Sequence, residues 1–272
     1  MKSPLRWAGS KRQVLQQLKV YWPGDHVRYV EPFAGSASLF FDLEPSRAIL
    51  GDLNQELIDA LQAIQRDVRG VLEYLRGLPI GKRAYYGVRK VDPTSLCHVT
   101  AAARFLYLNR YCFNGLYRTN LRGDFNVPYG PPNSRVSFDE AMVNRAAGVL
   151  QHAQLIHSDF EATLERARAG DFVYLDPPYA VSSRRIFSEY GPGSFNDKDL
   201  DRLAGSLRKL DADGVTFVIT YADSREARRL LKRWCPRRIW TRRNIAGFTS
   251  KRRGSYELLA TNSPLGRTPD GN

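Results

Sequence analysis

Cysteine and histidine are scarce in this chain, with three and four copies among 272 residues. Cys97, Cys112 and Cys235 form no CxxC pair, and His26, His98, His152 and His157 offer no HExxH or paired-ligand spacing. A disulfide framework and a metal site are therefore not expected; the thiols are read as reduced and all seven residues as ordinary core or surface positions. No apolar run approaches the ~18 residues of a membrane span. The opening MKSPLRWAGSKRQV lacks the apolar segment of a signal peptide, so a soluble, unsecreted, cytoplasmic protein is expected. The phosphate-cradling GxxxxGK pattern is missing, as is any obvious carboxylate cluster for two metals, which leaves a helicase or nuclease without support.

Acid is the deficient sign of charge: 28 Asp and Glu stand against 41 Lys and Arg, for a net +13. Such a balance favours a polyanionic partner, a nucleic acid or an anionic membrane surface, without choosing between them. The remaining composition, 43% hydrophobic and 25% charged, is that of a globular protein and excludes collagen-like, coiled-coil and wholly disordered chains. The length fits one large domain or one core carrying a substantial insertion.

Apolar periodicity and chain breakers predict a strand at Arg28–Glu31, a glycine-containing loop, a helix through Ser38–Leu43 and a second strand from Arg47 to Gly51 that ends at Asp52. Asn54 is placed to cap the helix ELIDALQAIQRDV, whose Leu57, Leu61 and Ile64 share one face. This β-loop-α-β-α order begins a doubly wound α/β sheet. The rhythm then lapses into helices from Asp67 to Arg110, and YRTNLRGDFNVPYGPP reads as a hairpin, at 117–128, followed by a proline-rich loop. It resumes with the strand AQLIHSD, a helix over Glu161–Arg168, the strand DFVYLD, a helix over Asp197–Lys209 behind Asn196, and the strand GVTFVIT. A helix over Glu226–Trp234 and strands near Arg238–Arg242 and Tyr256–Leu259 complete the set. The expected organisation is a core of 1–55 and 150–265, split by an insertion of 56–149, with a mobile tail at 266–272.

Two constellations carry chemistry. In EPFAGSAS, Gly35 lets the backbone bend and approach a ligand where a side chain would clash. Asp52 ends the next strand 17 residues later, close to the spacing at which a carboxylate takes ribose hydroxyls. The loop is poor in glycine, with Ala37 at the second position of the usual pair, so a nucleoside without phosphates fits better than a dinucleotide. In VYLDPPY, Pro177 and Pro178 lock the backbone after a strand, so the Asp176 carboxylate and the Pro177 carbonyl can both face the cleft as acceptors. Two acceptors beside the Tyr179 ring suit a planar base with an exocyclic amino group. Between Arg225 and Arg253 lie twelve Lys and Arg and one acid, Glu226; Arg242, Arg243, Lys251, Arg252 and Arg253 surround a glycine-containing loop, a pattern suited to phosphate contacts.

RWAGSK, EPFAGSAS, GDLN, LNRYCFNGLYRTNLRGDFNVPYG, DPPY and RRNIAGF with ELLATN resemble, in this order, the Dam-type (D12 class, alpha group) DNA adenine-N6 methyltransferases, over Pro4 to Asn262. The resemblance implies a Rossmann-like S-adenosylmethionine-dependent core with a mixed, mostly parallel sheet and an inserted, mainly helical target-recognition domain bearing a β-hairpin. It implies S-adenosylmethionine as methyl donor, no metal, double-stranded DNA as partner, and a monomer or weak dimer in the cytoplasm, associated with the nucleoid. By the same resemblance, Trp7, Lys11, Phe33, Gly35, Asp52, Asp159, Phe160 and Asp176 bind the cofactor, and Asp176, Pro177 and Tyr179 are catalytic. Phe113 and Asn114 match the pair beside the extruded adenine, while Leu116, Arg118 and Pro128 match readers of the bases flanking it in GATC. Arg6, Asn120, Arg122, Arg243 and Arg252 complete the expected DNA contacts, with guanine reading favoured for Arg118 and left open for Arg122. Four positions depart from the common family pattern: Arg6 for lysine, Ser10 and Ala37 for glycine, and Phe113 for tyrosine.

The implied reaction is methylation of adenine N6 in duplex DNA. The alternatives are cytosine N4, RNA adenine or a protein glutamine amide as acceptor, a DNA sequence other than GATC, and, from another class, a DNA-binding protein without catalysis; DPPY separates the acceptors only by family correlation.

Overall fold

The computed structural model of the chain describes residues 1–7, 11, 14–22, 24–120, 122–130, 138–178, 195–242 and 254–263. Its strands are β1 Tyr29–Glu31, β2 Ala48–Asp52, β3 Ala153–His157, β4 Phe172–Leu175, β5 Thr216–Ala222, β6 Arg237–Arg242 and β7 Gly254–Thr261. They form one sheet in the order β3-β2-β1-β4-β5-β7-β6. β1 to β5 pair in parallel, and β7 runs antiparallel to both β5 and β6.

Helices cover both faces, so the central strands β1, β2, β4 and β5 bury odd and even side chains alike. Tyr29, Leu50, Phe172, Tyr174, Val218 and Leu259 belong to one apolar cluster. Their neighbours Val30, Ile49, Val173, Leu175, Phe217, Ile219, Leu258 and Ala260 belong to the other. α1 Leu15–Lys19, α2 Ser38–Leu43, α3 Gln55–Gly77, α5 His98–Tyr111 and α6 Glu140–Leu150 pack with the first cluster; α4 Lys82–Lys90 joins it through Tyr85. α7 Phe160–Leu164, α8 Asp197–Ala212 and α9 Arg225–Leu231 pack with the second. No helix among the described residues is long and apolar enough to cross a membrane.

The period-two alternation also places chemistry. Glu31, Asp52, Asp176, Thr220 and Glu257 continue the parity of Tyr29, Leu50, Tyr174, Val218 and Leu259, so all five fall on the first face at the end of the sheet where β1, β2, β4 and β5 finish. Ligands bind at that end of an α/β sheet.

Asn54 caps α3 by accepting the Leu57 N–H at 3.0 Å. The helix outruns its expected end: Asp67 leaves the helical region and accepts the Gly70 N–H at 2.9 Å, capping a continuation to Gly77. α3 thus touches β2 and β3 of the sheet as well as α5 and α6. The segment expected as a hairpin reverses through isolated bridges, Cys112 with Tyr129 and Thr119 with Phe125, in place of paired strands. Asn120 Oδ1 accepts the N–H groups of Arg122 and Asp124 at 2.9 and 3.0 Å, and Gly123 takes a φ of 89°, so side-chain and turn bonds do the work of a ladder.

Gly51 in β2 fixes α7, because a Cβ there would strike the Thr163 side chain. Gly51→Ala is expected to cost about 1–3 kcal/mol by overpacking, read by urea unfolding, and Thr163→Ala in the same chain should recover much of it. An unchanged midpoint for the single variant would show that the helix can lift without penalty.

Candidate active site

The eight residues expected to bind the cofactor, Trp7, Lys11, Phe33, Gly35, Asp52, Asp159, Phe160 and Asp176, line one cleft of about 320 Å³ at the ligand-binding end of the sheet. The cleft begins at the β1–α2 loop. Gly35 takes a φ of 48°, and a Cβ on it would lie 2.9 Å from the Trp7 indole, so glycine is required twice over. Ala37 holds the same left-handed backbone at φ 48° despite its methyl group, at the position where glycine is common in the family. The indole stacks on Tyr117 of the insertion, 5.7 Å between centroids. Asp52 anchors the loop from β2: Oδ2 accepts the Gly35 N–H at 2.8 Å and Oδ1 the Asn54 N–H at 2.9 Å.

Asp176 follows β4 at the cleft floor. Lys11 Nζ meets Oδ1 at 2.6 Å and Oδ2 at 2.8 Å, and Thr220 Oγ1 donates to Oδ1 at 3.1 Å. Oδ2 therefore keeps the more open lone pair. Lys11 is itself buried and also faces Glu257 Oε2 at 3.6 Å. Burial pushes the Asp176 carboxyl up from its ordinary value, Lys11 pulls it back, Glu257 raises it again and Thr220 lowers it. Burial likewise raises Asp52, against the backbone N–H donors that lower it. Glu31 is held well above the carboxylate range by burial, with the Tyr29 hydroxyl donating to Oε2 at 2.9 Å in partial compensation.

Among the described residues five carboxylates line the cleft, those of Glu31, Asp52, Asp159, Asp176 and Asp199, against the single ammonium of Lys11. A protein of net +13 thus carries an acidic hole. That donor set fits a cationic ligand, and the Phe33, Phe160 and Phe195 rings beside it fit a flat aromatic one. Among the described residues no group of three His, Cys, Asp or Glu is arranged to hold a metal ion.

The insertion meets the N-terminal segment next to the cleft. Asn109 grips the Arg6 backbone from both sides, accepting its N–H at 2.9 Å and donating to its carbonyl at 2.6 Å. Arg6 lies against Gly115, one residue from Asn114, which has a φ of 56°; Phe113 is exposed, and its N–H donates to the Pro128 carbonyl at 2.9 Å. Arg6, Phe113, Asn114 and Pro128 are thereby gathered at one edge. Leu116 is buried in the core cluster, presenting no face to a base, and the Asn120 amide is committed to its turn and to Asp124 Oδ2 at 2.9 Å. Arg118 is half-buried, while Arg122 is exposed and pairs with Asp124 at 3.4 Å. Tyr179, Arg243, Arg252, Ser10 and the tail 266–272 lie outside the described residues.

Glu31, Glu257, Phe195, Asp199 and Arg202 were not legible as site residues. Strand parity signals the first two, since each shares the Asp176 face; Phe195 and Asp199 reach the cleft, and Arg202 stands behind it, through the packing of α8 and the residues just before it, which no local pattern encodes.

A Rossmann-like α/β sheet of this order, with an acidic cleft at its ligand end, defines a methyltransferase core. The family model described as D12 class N6 adenine-specific DNA methyltransferase matches residues 7–245. A type II methyltransferase of Lactococcus lactis subsp. cremoris is 32% identical over 266 residues, spanning 94% of each chain. One from Methanocaldococcus jannaschii is 33% identical over 282 residues, spanning 95% of this chain and 98% of its own. The DNA adenine methylase of Escherichia coli K12 is 32% identical over 265 residues, spanning 96% and 95%. The chain belongs to the D12 class of N6 adenine-specific DNA methyltransferases. Membership implies S-adenosylmethionine as methyl donor and DNA as substrate.

A carboxyl whose folded pKa is raised stabilises the fold when protonated and loses that contribution as pH rises through the raised value. Glu31→Gln, which keeps the Tyr29 hydrogen bond, should therefore stabilise the protein at pH ~7 and much less at pH ~4, by about 1.4 kcal/mol for every tenfold displacement of the proton equilibrium. Urea midpoints at both pH values check this; an equal effect at both would mean that Glu31 is not the strained carboxylate.

Proposed function

We propose that this enzyme methylates N6 of adenine in GATC within duplex DNA in the cytoplasm, after extruding the adenine into the cleft. The observation that carries the reading is the Asp176 carboxylate, which lines an acidic cleft and is fixed there by Lys11 and Thr220. S-adenosylmethionine supplies a methyl group made electrophilic by its sulfonium. The carboxylates of the cleft suit that charge, with Asp52 toward the ribose and Asp159 and Phe160 toward the adenine ring of the cofactor.

Asp176 Oδ2 and the Pro177 carbonyl accept the two N6 hydrogens of the target base, and Tyr179 stacks on its ring. Holding both hydrogens raises electron density on N6 and directs its lone pair at the methyl carbon for in-line transfer. As the new N–C bond forms, Asp176 Oδ2 is placed to take the surplus proton. Lys11 keeps Asp176 ionised in its buried position, which an acceptor requires. The flanking bases are read by Arg6, Arg118 and Pro128, with Phe113 and Asn114 at the gap left by the extruded base. Arg243 and Arg252 contribute phosphate contacts. The burial of Leu116 makes it a support for the Phe113 turn unless the segment rearranges on DNA.

Transfer from labelled S-adenosylmethionine to a duplex with one GATC, beside GATG, GTTC and single-stranded controls, tests this. Label confined to GATC and recovered as N6-methyladenine is expected. Asp176→Ala should reduce transfer at least about a hundredfold with duplex binding retained; substantial turnover would remove Asp176 from the chemistry. Arg118→Ala should cost roughly 1–3 kcal/mol of discrimination at one guanine, whereas uniform weakening on all sequences would make it a phosphate contact.

A further inference from the structure

One wall of the cleft is built around a guanidinium that does not itself line it. Phe160 stacks on Phe33 with centroids 5.2 Å apart, and both rings meet Phe195, at 6.1 and 6.0 Å. Arg202, on α8, lies over the Phe160 ring with its central carbon 4.7 Å from the centroid. The same group donates to Asp159 Oδ1 at 2.6 Å, to Glu161 Oε2 at 2.6 and 2.8 Å, and to Asp199 Oδ1 at 2.9 Å.

These contacts tie two helix starts together. Asp159 caps α7 by accepting the Glu161 N–H at 3.0 Å, and Asp199 completes the capping box of α8 with Asn196. Without a shared cation the three carboxylates repel one another, and a five-residue helix has little else to hold its first turn. Arg202 donates to Asp159 Oδ2 at 3.4 Å, a longer bond than the 2.6 Å one to Oδ1, so Oδ2 is the less committed oxygen of a carboxylate that lines the cleft. A weakly engaged carboxylate oxygen beside a ring stack is what an exocyclic amino group on a purine requires.

We propose that Arg202 is a positioning residue for the adenine end of the S-adenosylmethionine site, holding the Asp159 carboxylate and the Phe160 ring where the amino group and face of that adenine are recognised. The inference rests on Asp159 and Phe160 being the adenine contacts, as read above. Arginine suits the task because its planar fork serves several carboxylates while its face covers an aromatic ring.

Calorimetric titration with S-adenosylhomocysteine tests the clamp directly, without turnover. Arg202→Ala is expected to weaken binding about tenfold or more, and Arg202→Lys, which keeps the charge and loses the fork, to recover part of it. KM for S-adenosylmethionine should rise in step, while kcat at saturation and affinity for duplex DNA stay as in the wild type. Asp159→Asn should weaken binding too, and the double variant should be little worse than either single one, because the pair acts as a unit. Wild-type affinity in Arg202→Ala beside weak binding in Asp159→Asn would overturn the clamp and leave the adenine site standing. Wild-type affinity in both would overturn the adenine site itself. Loss of kcat with KM unmoved would also overturn the proposal. Should Arg202→Ala not fold, Arg202→Lys and Arg202→Gln carry the same comparison.

Discussion

A single buried ammonium, that of Lys11, holds the carboxylate end of the sheet together. It bridges Asp176 after β4 and Glu257 on β7, and it is the one cation among the described residues that line the cleft. Strand parity forces several acids onto one face, and burial raises their carboxyls; Lys11, helped by the Thr220 hydroxyl, pulls Asp176 back toward the ionised form that accepts a hydrogen bond. In the same N-terminal segment Trp7 lies against Gly35, and Arg6, held by Asn109, lies against Gly115. The segment thus touches Asp176 after β4, the β1–α2 loop and the connection between α5 and α6.

The charge distribution is divided by depth. Over the whole chain an excess of thirteen positive charges favours a polyanion. In the cleft, among the described residues, five carboxylates face one ammonium. An acidic interior suits a methyl donor bearing a sulfonium, and a basic chain suits a polyphosphate backbone.

Much of this was legible from residue order and from the family resemblance. β1, β2, β4 and β5 fall within a residue or two of their expected positions, Asn54 and Asn196 cap the helices assigned to them, and the eight residues that the resemblance assigns to the cofactor converge on one cleft. The elements, Gly35, Asp52 and Asp176 were legible for a physical reason: strand ends, glycine turns and cap residues act locally. What escaped depends on tertiary packing. Asp67 both breaks and restarts α3, a double role that the apolar period through Ile64 and Val68 does not announce. Leu116 looks like an apolar base reader by position, yet the core around Cys112 and Phe125 claims it. Arg202 sits among charges typical of a solvated helix face, and only the approach of α7 turns it into a clamp.

The central claim is that the carboxylates at the end of the sheet are poised for a cationic methyl donor. Calorimetric affinities for S-adenosylmethionine and for S-adenosylhomocysteine, which lacks the sulfonium charge, measured from pH ~5 to ~8, test it most directly. Since burial raises the Glu31 and Asp52 carboxyls, a bound cation pulls them back down; its affinity should rise with pH more steeply than that of the neutral thioether, with protons released on binding. Parallel profiles for the two ligands, with no difference in proton release, would contradict the account.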